Sequence, residues 1–269
     1  MTLQLELRAH PDVPVEADCI TPDRLAPLAV PDIEHLKLFH GNRQVPLAEF
    51  FKVSGTPSTS IRLAGDLSRI KHVGSGMSTG EIQVDGDAGA HLGAGMSGGT
   101  IVVHGNAGDW VGPELRGGRI VVHGNAGHMT GSAYRGSAVG MTGGEIIVLG
   151  SVRNELGHGM RAGLIAVGGD CGDFAGVNML AGTVTIFGTA GMRAGAGMKR
   201  GTIIAMQTPE ILPTFSYACE YRPPFLSLYL RHLRNLRLPV ADGHLTARYH
   251  RWCGDAVGLN RGEILSPAV

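Results

Sequence analysis

Between residues 60 and 206 one short phrase of sequence is written seven times and begun an eighth. Aligned on glycine, the units start at Ser60, Glu81, Thr100, Arg119, Glu145, Leu164 and Thr183. Five of the seven are 19 residues long, the first carries two extra residues and the fourth carries seven. The unit reads x-I-x-V-x-G-x-A-G-x-x-x-G-x-x-M-x-x-G. Three glycine columns, beginning at Gly65, Gly74 and Gly80, run through it without exception. Glycine in every copy signals a backbone at positive φ or a neighbour too close for a side chain. At Gly105 and Gly124, in the first column, positive φ is the expectation, and valine there should be severely strained. Two aliphatic columns, from Ile61 to Ile203 and from Leu63 to Ala205, are spaced by two and so share one face of a strand.

A strand of about five residues followed by tight glycine turns cannot bury its apolar face alone, so each unit must stack on the next. The expected fold is all-β: a single-stranded right-handed parallel β-helix over residues 60–206. Seven coils about 4.8 Å apart would build a prism ~34 Å tall. Residues 1–59 read as an N-terminal cap and 207–269 as a C-terminal extension, since the open ends of a stack need covering. A further column, Met77, Met96, Leu115, Met141, Met160, Met179 and Met198, reads as core filling, because a sulfur metal site needs converging ligands and this is a ladder.

Glycine, at 42 of 269 residues, is the compositional outlier, and most of it is this periodic punctuation. Lys+Arg and Asp+Glu balance at 23 each, so no global field draws the chain to nucleic acid or to an anionic membrane. The four cysteines, Cys19, Cys171, Cys219 and Cys253, form no C-x-x-C pair; reduced thiols in a cytoplasmic protein are expected. The first residues are polar and no long apolar run follows, which reads as neither a secretory signal nor a membrane span.

In the flanks, residues 3–7 alternate as a half-buried strand, and Thr21-Pro22-Asp23 reads as a helix start. Residues 36–51 suggest a strand, a turn at Gly41 and a brief helix. After Met206, prolines exclude regular structure except in short pieces, although residues 225–236 place Leu226, Tyr229, Leu230 and Leu233 at helical spacing. Residues 249–265 read as irregular with one short strand.

Between the aliphatic columns lies a position that should face outward, and Val102, Val121 and Ile147 make an apolar stripe there. The chain's own C-terminal helix or another protein of a complex is expected to cover it. The fourth unit's insertion projects Tyr134 and Arg135, its only large side chains. Arg116 and Arg161 stand in the turns on either side. Arginine is the preferred binder of carboxylates, so Arg116, Arg135, Arg161 and Tyr134 are candidate contacts for an anionic ligand or an acidic partner. Asp85, His104 and His123 lie at equal positions of successive units, but stacked outward histidines are more often surface residues, and no metal site is assigned. Asp87, Asn106 and Asn125 read as turn-forming residues. No Ser-His-Asp spacing, G-x-S-x-G elbow, P-loop or H-E-x-x-H is present, and no catalytic residue is assigned. The period of 19 does not fit hexapeptide acyltransferases, and the clustered carboxylates of a pectate-lyase-like enzyme are not seen.

The glycine units, such as GAHLGAGMSGGTIVVHGNAG and GHMTGSAYRGSAVGMTGGEIIVLG, resemble the G-x-G-x-G domain. That domain is shared by the C-type subunit of formylmethanofuran dehydrogenase and the C-terminal part of the large chain of glutamate synthase. With HGNRQVPLAEFFKVSG before the repeat and GEIL near the end, the whole chain resembles that C-type subunit standing alone. The resemblance implies a non-catalytic scaffold in a one-carbon complex. Such a complex moves a formyl group from formyl-tetrahydromethanopterin to a methanofuran analogue and hydrolyses it to formate. Its implied partners are amidohydrolase-like A, B and formyltransferase-like D subunits, with metals on a different chain and a methanofuran-type coenzyme in the complex. The alternatives are the C-type subunit of a tungsten or molybdenum formylmethanofuran dehydrogenase, or a separately encoded glutamate synthase-type domain. Nineteen arginines against four lysines is the usage of a GC-rich bacterium and favours the bacterial complex.

Overall fold

A computed structural model describes residues 2–268. It is rich in strands, with one mixed sheet of 13 strands, a second sheet of four and a few short helices. The repeats build the middle of the large sheet. Their strands run from Ser60–Ala64 through Glu81–Val84, Thr100–Val103 and Arg119–Val122 to Thr142–Val148, Ala162–Val167, Thr183–Ile186 and Arg200–Ala205. Each pairs in parallel with its equivalent, so that Ile101 faces Ile120 and Ile120 faces Ile146. Across the insertion in the fourth unit the aliphatic residues keep this register, with one irregularity between Thr142 and Glu145.

Each unit meets the next along two further lines. One is a parallel ladder of single residues, Leu67, Ala88, Ala107, Ala126, Val152, Cys171 and Ala190. The other joins the turns, where Gly93 N donates to Val73 O at 2.8 Å and Gly112 N to Leu92 O at 2.7 Å. Between these lines the aliphatic columns, the methionine column and a third apolar column of Val73, Leu92 and Val111 are buried in one core. In the fourth unit the third column holds Thr130, also buried, whose hydroxyl donates to Gly127 O at 3.4 Å.

The glycine columns differ in cause. All members of the second and third have φ between +58° and +107°. In the first column only Gly65 has positive φ. At Gly86 and Gly124 a Cβ would instead fall 2.7 Å from the carbonyl oxygen of the preceding unit's glycine. Close approach, not a left-handed backbone, explains the first column, which corrects the expectation for Gly105 and Gly124.

The ends are closed by other strands. Leu3–Leu7 pairs in parallel with Ser60–Ala64 and antiparallel with Phe51–Gly55. At the far end Arg261–Pro267 pairs in parallel with Arg200–Ala205, then Tyr249–Gly254 and Ser216–Tyr221 follow antiparallel. Three strands therefore occupy a region expected to hold at most short pieces and one short strand. Their pairing is dictated by the exposed ladder of the last repeat and carries no periodic signal of its own.

The outward position of the repeat strands turns from exposed at Arg62 to half-buried at Val102 and Val121 and fully buried from Ile147 onward. The helix Leu226–Asn235 accounts for the change. Its Leu226, Leu230 and Leu233 join Ile147, Ala166, Ile204 and Leu265 in a second apolar cluster, with Val121 at its margin.

Candidate functional site

One further column of the repeat carries half-buried aromatic groups. It lies two residues after the A-G pair and runs His72, His91, Trp110, Met129, Glu155, Phe174, Arg193, each with φ between +60° and +64°. A left-handed backbone costs an L-residue roughly 1–2 kcal/mol, which neighbouring units must offset. Because equal positions stack, the rings stack too. His72 and His91 are parallel with centroids 4.6 Å apart, and His91 and Trp110 are 6.0 Å apart. Tyr134 of the insertion folds over this row, its ring 4.9 Å from Trp110 and its hydroxyl 2.9 Å from His91 Nδ1.

Burial pushes the Tyr134 phenol up to about 12, so it remains a donor. Burial first, then the neighbouring His72 and Lys71 charges, push His91 down to about 4, so the ring is neutral at neutral pH and shares one hydrogen bond with the Tyr134 hydroxyl through Nδ1. The insertion is thereby pinned to the corner of units one to three. Tyr134 was a candidate from the sequence; its partners were not, though an aligned column of His72, His91 and Trp110 is visible once that position is tabulated.

Arg116, Arg135 and Arg161 are all exposed and form no ion pair among the described residues. Arg161 lines a groove of about 410 Å³ with Lys199, His158, Asn178 and Ala138 of the insertion. Neither Arg116 nor Arg135 lines that groove. Arg116 and Arg161 occupy the same turn column two units apart, about 10 Å along the stack at ordinary strand spacing.

A second cleft, of about 480 Å³, opens between the repeat edge and the C-terminal helix. Gly144, Glu145, Gly163 and Leu164 form one wall and Leu228, Tyr229 and His232 the other. Glu145 is fully engaged: Arg119 Nε donates to its Oε2 at 2.7 Å, and His232 Nε2 lies 2.8 Å from its Oε1.

Asp85 is held by Arg62 Nε at 2.8 Å, and His104 and His123 meet edge to face with centroids 4.9 Å apart. Among the described residues no three His, Cys, Asp or Glu converge as metal ligands. Asp87, Asn106 and Asn125 serve the stack by bonding between units. Asn106 N donates to Asp87 Oδ1 at 2.7 Å, Asn125 N to Asn106 Oδ1 at 2.9 Å and Ser151 N to Asn125 Oδ1 at 2.8 Å. Among the described residues no helix is long and apolar enough to cross a membrane.

These features define a glycine-repeat protein of stacked strands whose polar and aromatic side chains line up in columns along the stack. The chain belongs to the GXGXG motif family, which matches residues 46–215. Its homologues there are C-type subunits of formylmethanofuran dehydrogenases. It is 44% identical over 79 residues to the C-type subunit of the molybdenum-containing formylmethanofuran dehydrogenase 1 of Methanothermobacter thermautotrophicus, a match covering 29% of this chain and 20% of that one. To its counterpart in the tungsten-containing formylmethanofuran dehydrogenase 2 of the same organism it is 41% identical over 85 residues, covering 30% and 32%. The matched stretch thus spans a third or less of these relatives' length. A crystal structure of the formyltransferase/hydrolase complex (FhcABCD) from Methylorubrum extorquens with methylofuran contains a chain that superposes with a TM-score of 0.91 at 33% identity, over 99% of this chain and 100% of that one.

Proposed function

We propose that this chain is the non-catalytic C-type subunit of a formyltransferase/hydrolase complex. In such a complex a formyl group passes from formyl-tetrahydromethanopterin to a methanofuran analogue and is hydrolysed to formate. The observation that carries this reading is the superposition over the full length of both chains with a member of the methylofuran-bound complex. The archaeal dehydrogenase relatives favour a second reading, the C-type subunit of a tungsten or molybdenum formylmethanofuran dehydrogenase, but they are matched over a third or less of their length.

In this reading residues 60–206 form a single-stranded right-handed parallel β-helix. In-register pairing of equivalent residues and the two further lines of contact between units support it. Residues 1–59 cap one end and 207–269 extend over the other. Amidohydrolase-like A, B and formyltransferase-like D subunits are the partners, and metals reside on one of those.

Passing a formyl group between separate centres requires a surface that holds the coenzyme while its reactive end moves. Arg116, Arg135 and Arg161, without a carboxylate partner among the described residues, pair with an anionic coenzyme tail, and Tyr134 fixes the loop that carries Arg135. Val102, outside the apolar cluster of the helix, and Val121, at its margin, are offered to a partner protein.

Purification of the native protein through a tag on this chain, with mass spectrometry of co-eluting chains, tests the reading. Three companions of the A, B and D types and a retained methanofuran-type coenzyme are expected. Elution as a lone monomer would overturn it. In the Arg116→Ala/Arg135→Ala/Arg161→Ala variant coenzyme retention should fall while the same companions co-elute; full retention would remove these residues from the mechanism.

A further inference from the structure

We propose that the outer face of the helix Leu226–Asn235, with the cleft beside it, docks an acidic segment of another protein in the complex, which sets one apolar side chain between Leu228, Tyr229 and Leu164. The proposal rests on the reading of this chain as one member of a complex, and adds which face is engaged and by what chemistry.

The inner face of the helix is already used, with Leu226, Leu230 and Leu233 buried against the repeat strands. Its outer face is not. Leu228 is 69% exposed and Tyr229 37% exposed, side by side on the lip of the 480 Å³ cleft whose far wall includes Leu164. Water gains nothing from this arrangement, whereas one medium-sized apolar side chain would cover all three.

Charge specifies the surroundings of that side chain. Between residues 221 and 241 there is no aspartate or glutamate, while Arg222, Arg231, Arg234 and Arg237 all fall there. Arg234 is paired with Asp242 at 2.8 Å. Arg222, Arg231 and Arg237 are exposed and have no carboxylate partner among the described residues. This is a local excess of positive charge along the segment that carries the helix and its apolar slot, in a chain whose total charge is balanced. Among the described residues the one carboxylate lining the cleft, Glu145, is engaged by Arg119 and His232 and offers a guest little repulsion.

An apolar residue flanked by aspartate or glutamate satisfies both demands. A second copy of this chain does not, because a two-fold contact through this face would set arginines against arginines. Nucleic acid would meet the arginines and leave the slot unfilled.

The test uses the complex purified through a tag on this chain. With a photoreactive benzoylphenylalanine at Tyr229, the cross-link should map to a companion chain, in a segment of net negative charge that contains an aliphatic or aromatic residue. The variants Leu228→Asp and Arg222→Glu/Arg231→Glu should each lower recovery of that companion roughly tenfold, the usual scale for a central anchor, with the melting temperature of the full-length variant chain unchanged. Undiminished recovery in both variants would overturn the proposal. So would a cross-link to a second copy of this chain or to a neutral or basic segment. The same holds for binding of a short DNA duplex or of phosphatidylcholine–phosphatidylserine vesicles that the charge reversal abolishes. A fall in the melting temperature with Leu228→Asp would show the residue to be packed, and overturn it too. Elution of the unmodified chain without companions would instead refute the reading of the chain as a member of a complex, on which the proposal rests.

Discussion

Glycine recurs along the repeats for two different reasons, and a pair of alanine substitutions should separate them. Gly95 has φ +63°, and no atom lies within 4 Å of where a Cβ would sit. Alanine there costs only the left-handed backbone, roughly 1–2 kcal/mol. Two other units already carry side chains at this position, Glu114 at φ 54° and Asn178 at φ 55°.

Gly124 does not have positive φ and carries no such penalty. Its Cβ would instead lie 2.7 Å from Gly105 O, 2.9 Å from Gly105 C and 2.5 Å from Asn106 Oδ1. The first two atoms are backbone held in the stack, where Gly124 N donates to Gly105 O at 2.9 Å, so they cannot swing aside. Overpacking of this kind costs about 1–3 kcal/mol. Displacing Asn106 Oδ1 also removes its bond from Asn125 N, for about 1 kcal/mol more. Gly124→Ala should therefore destabilise by about 2–4 kcal/mol, clearly more than Gly95→Ala, and Gly95→Asn should be milder than either. Denaturant midpoints followed by far-ultraviolet circular dichroism measure the order. A loss at Gly124 no greater than that at Gly95 would falsify the close-approach argument.

The apolar stripe should respond in steps: Ile147→Asp, under the helix, should lower stability by several kcal/mol even in the isolated chain, because it buries an unpaired charge, whereas Val102→Asp should leave the melting temperature nearly unchanged and be read in complex assembly. Tyr134→Ala should shift the emission of Trp110 to longer wavelength and cost about 1 kcal/mol from lost ring stacking; an unchanged spectrum would show that the insertion does not cover the corner. The depressed pKa of His91 means that the unfolded chain binds a proton there before the folded one does. Its contribution is therefore intact above about pH 6.5 and declines as pH falls toward about 4. Melting temperature should drop over that window, and His91→Asn, an asparagine being tolerated at positive φ, should flatten the slope; an unaltered slope would assign it to His72, His123 or His244, also lowered by burial.

Much of this protein is legible in one dimension because its stabilising contacts are periodic. Ile101 meets Ile120 for the same reason that Ile120 meets Ile146, so the alignment of units predicts the pairing, and it also identified the methionine and Asp87–Asn106–Asn125 columns. Periodicity is silent where contacts do not recur. Nothing local tells whether Gly124 is glycine for its dihedral or for the carbonyl of Gly105 beneath it, since both causes leave the same letter. The strands Ser216–Tyr221, Tyr249–Gly254 and Arg261–Pro267 form because the last repeat offers an open ladder, and that is a property of the stack, not of those residues. Likewise the helix Leu226–Asn235 was visible from the spacing of its leucines. Only its seat over Ile147, Ala166 and Ile204 decided which part of the outward stripe is covered, brought His232 to Glu145 across 87 residues of chain, and left Leu228 and Tyr229 facing outward.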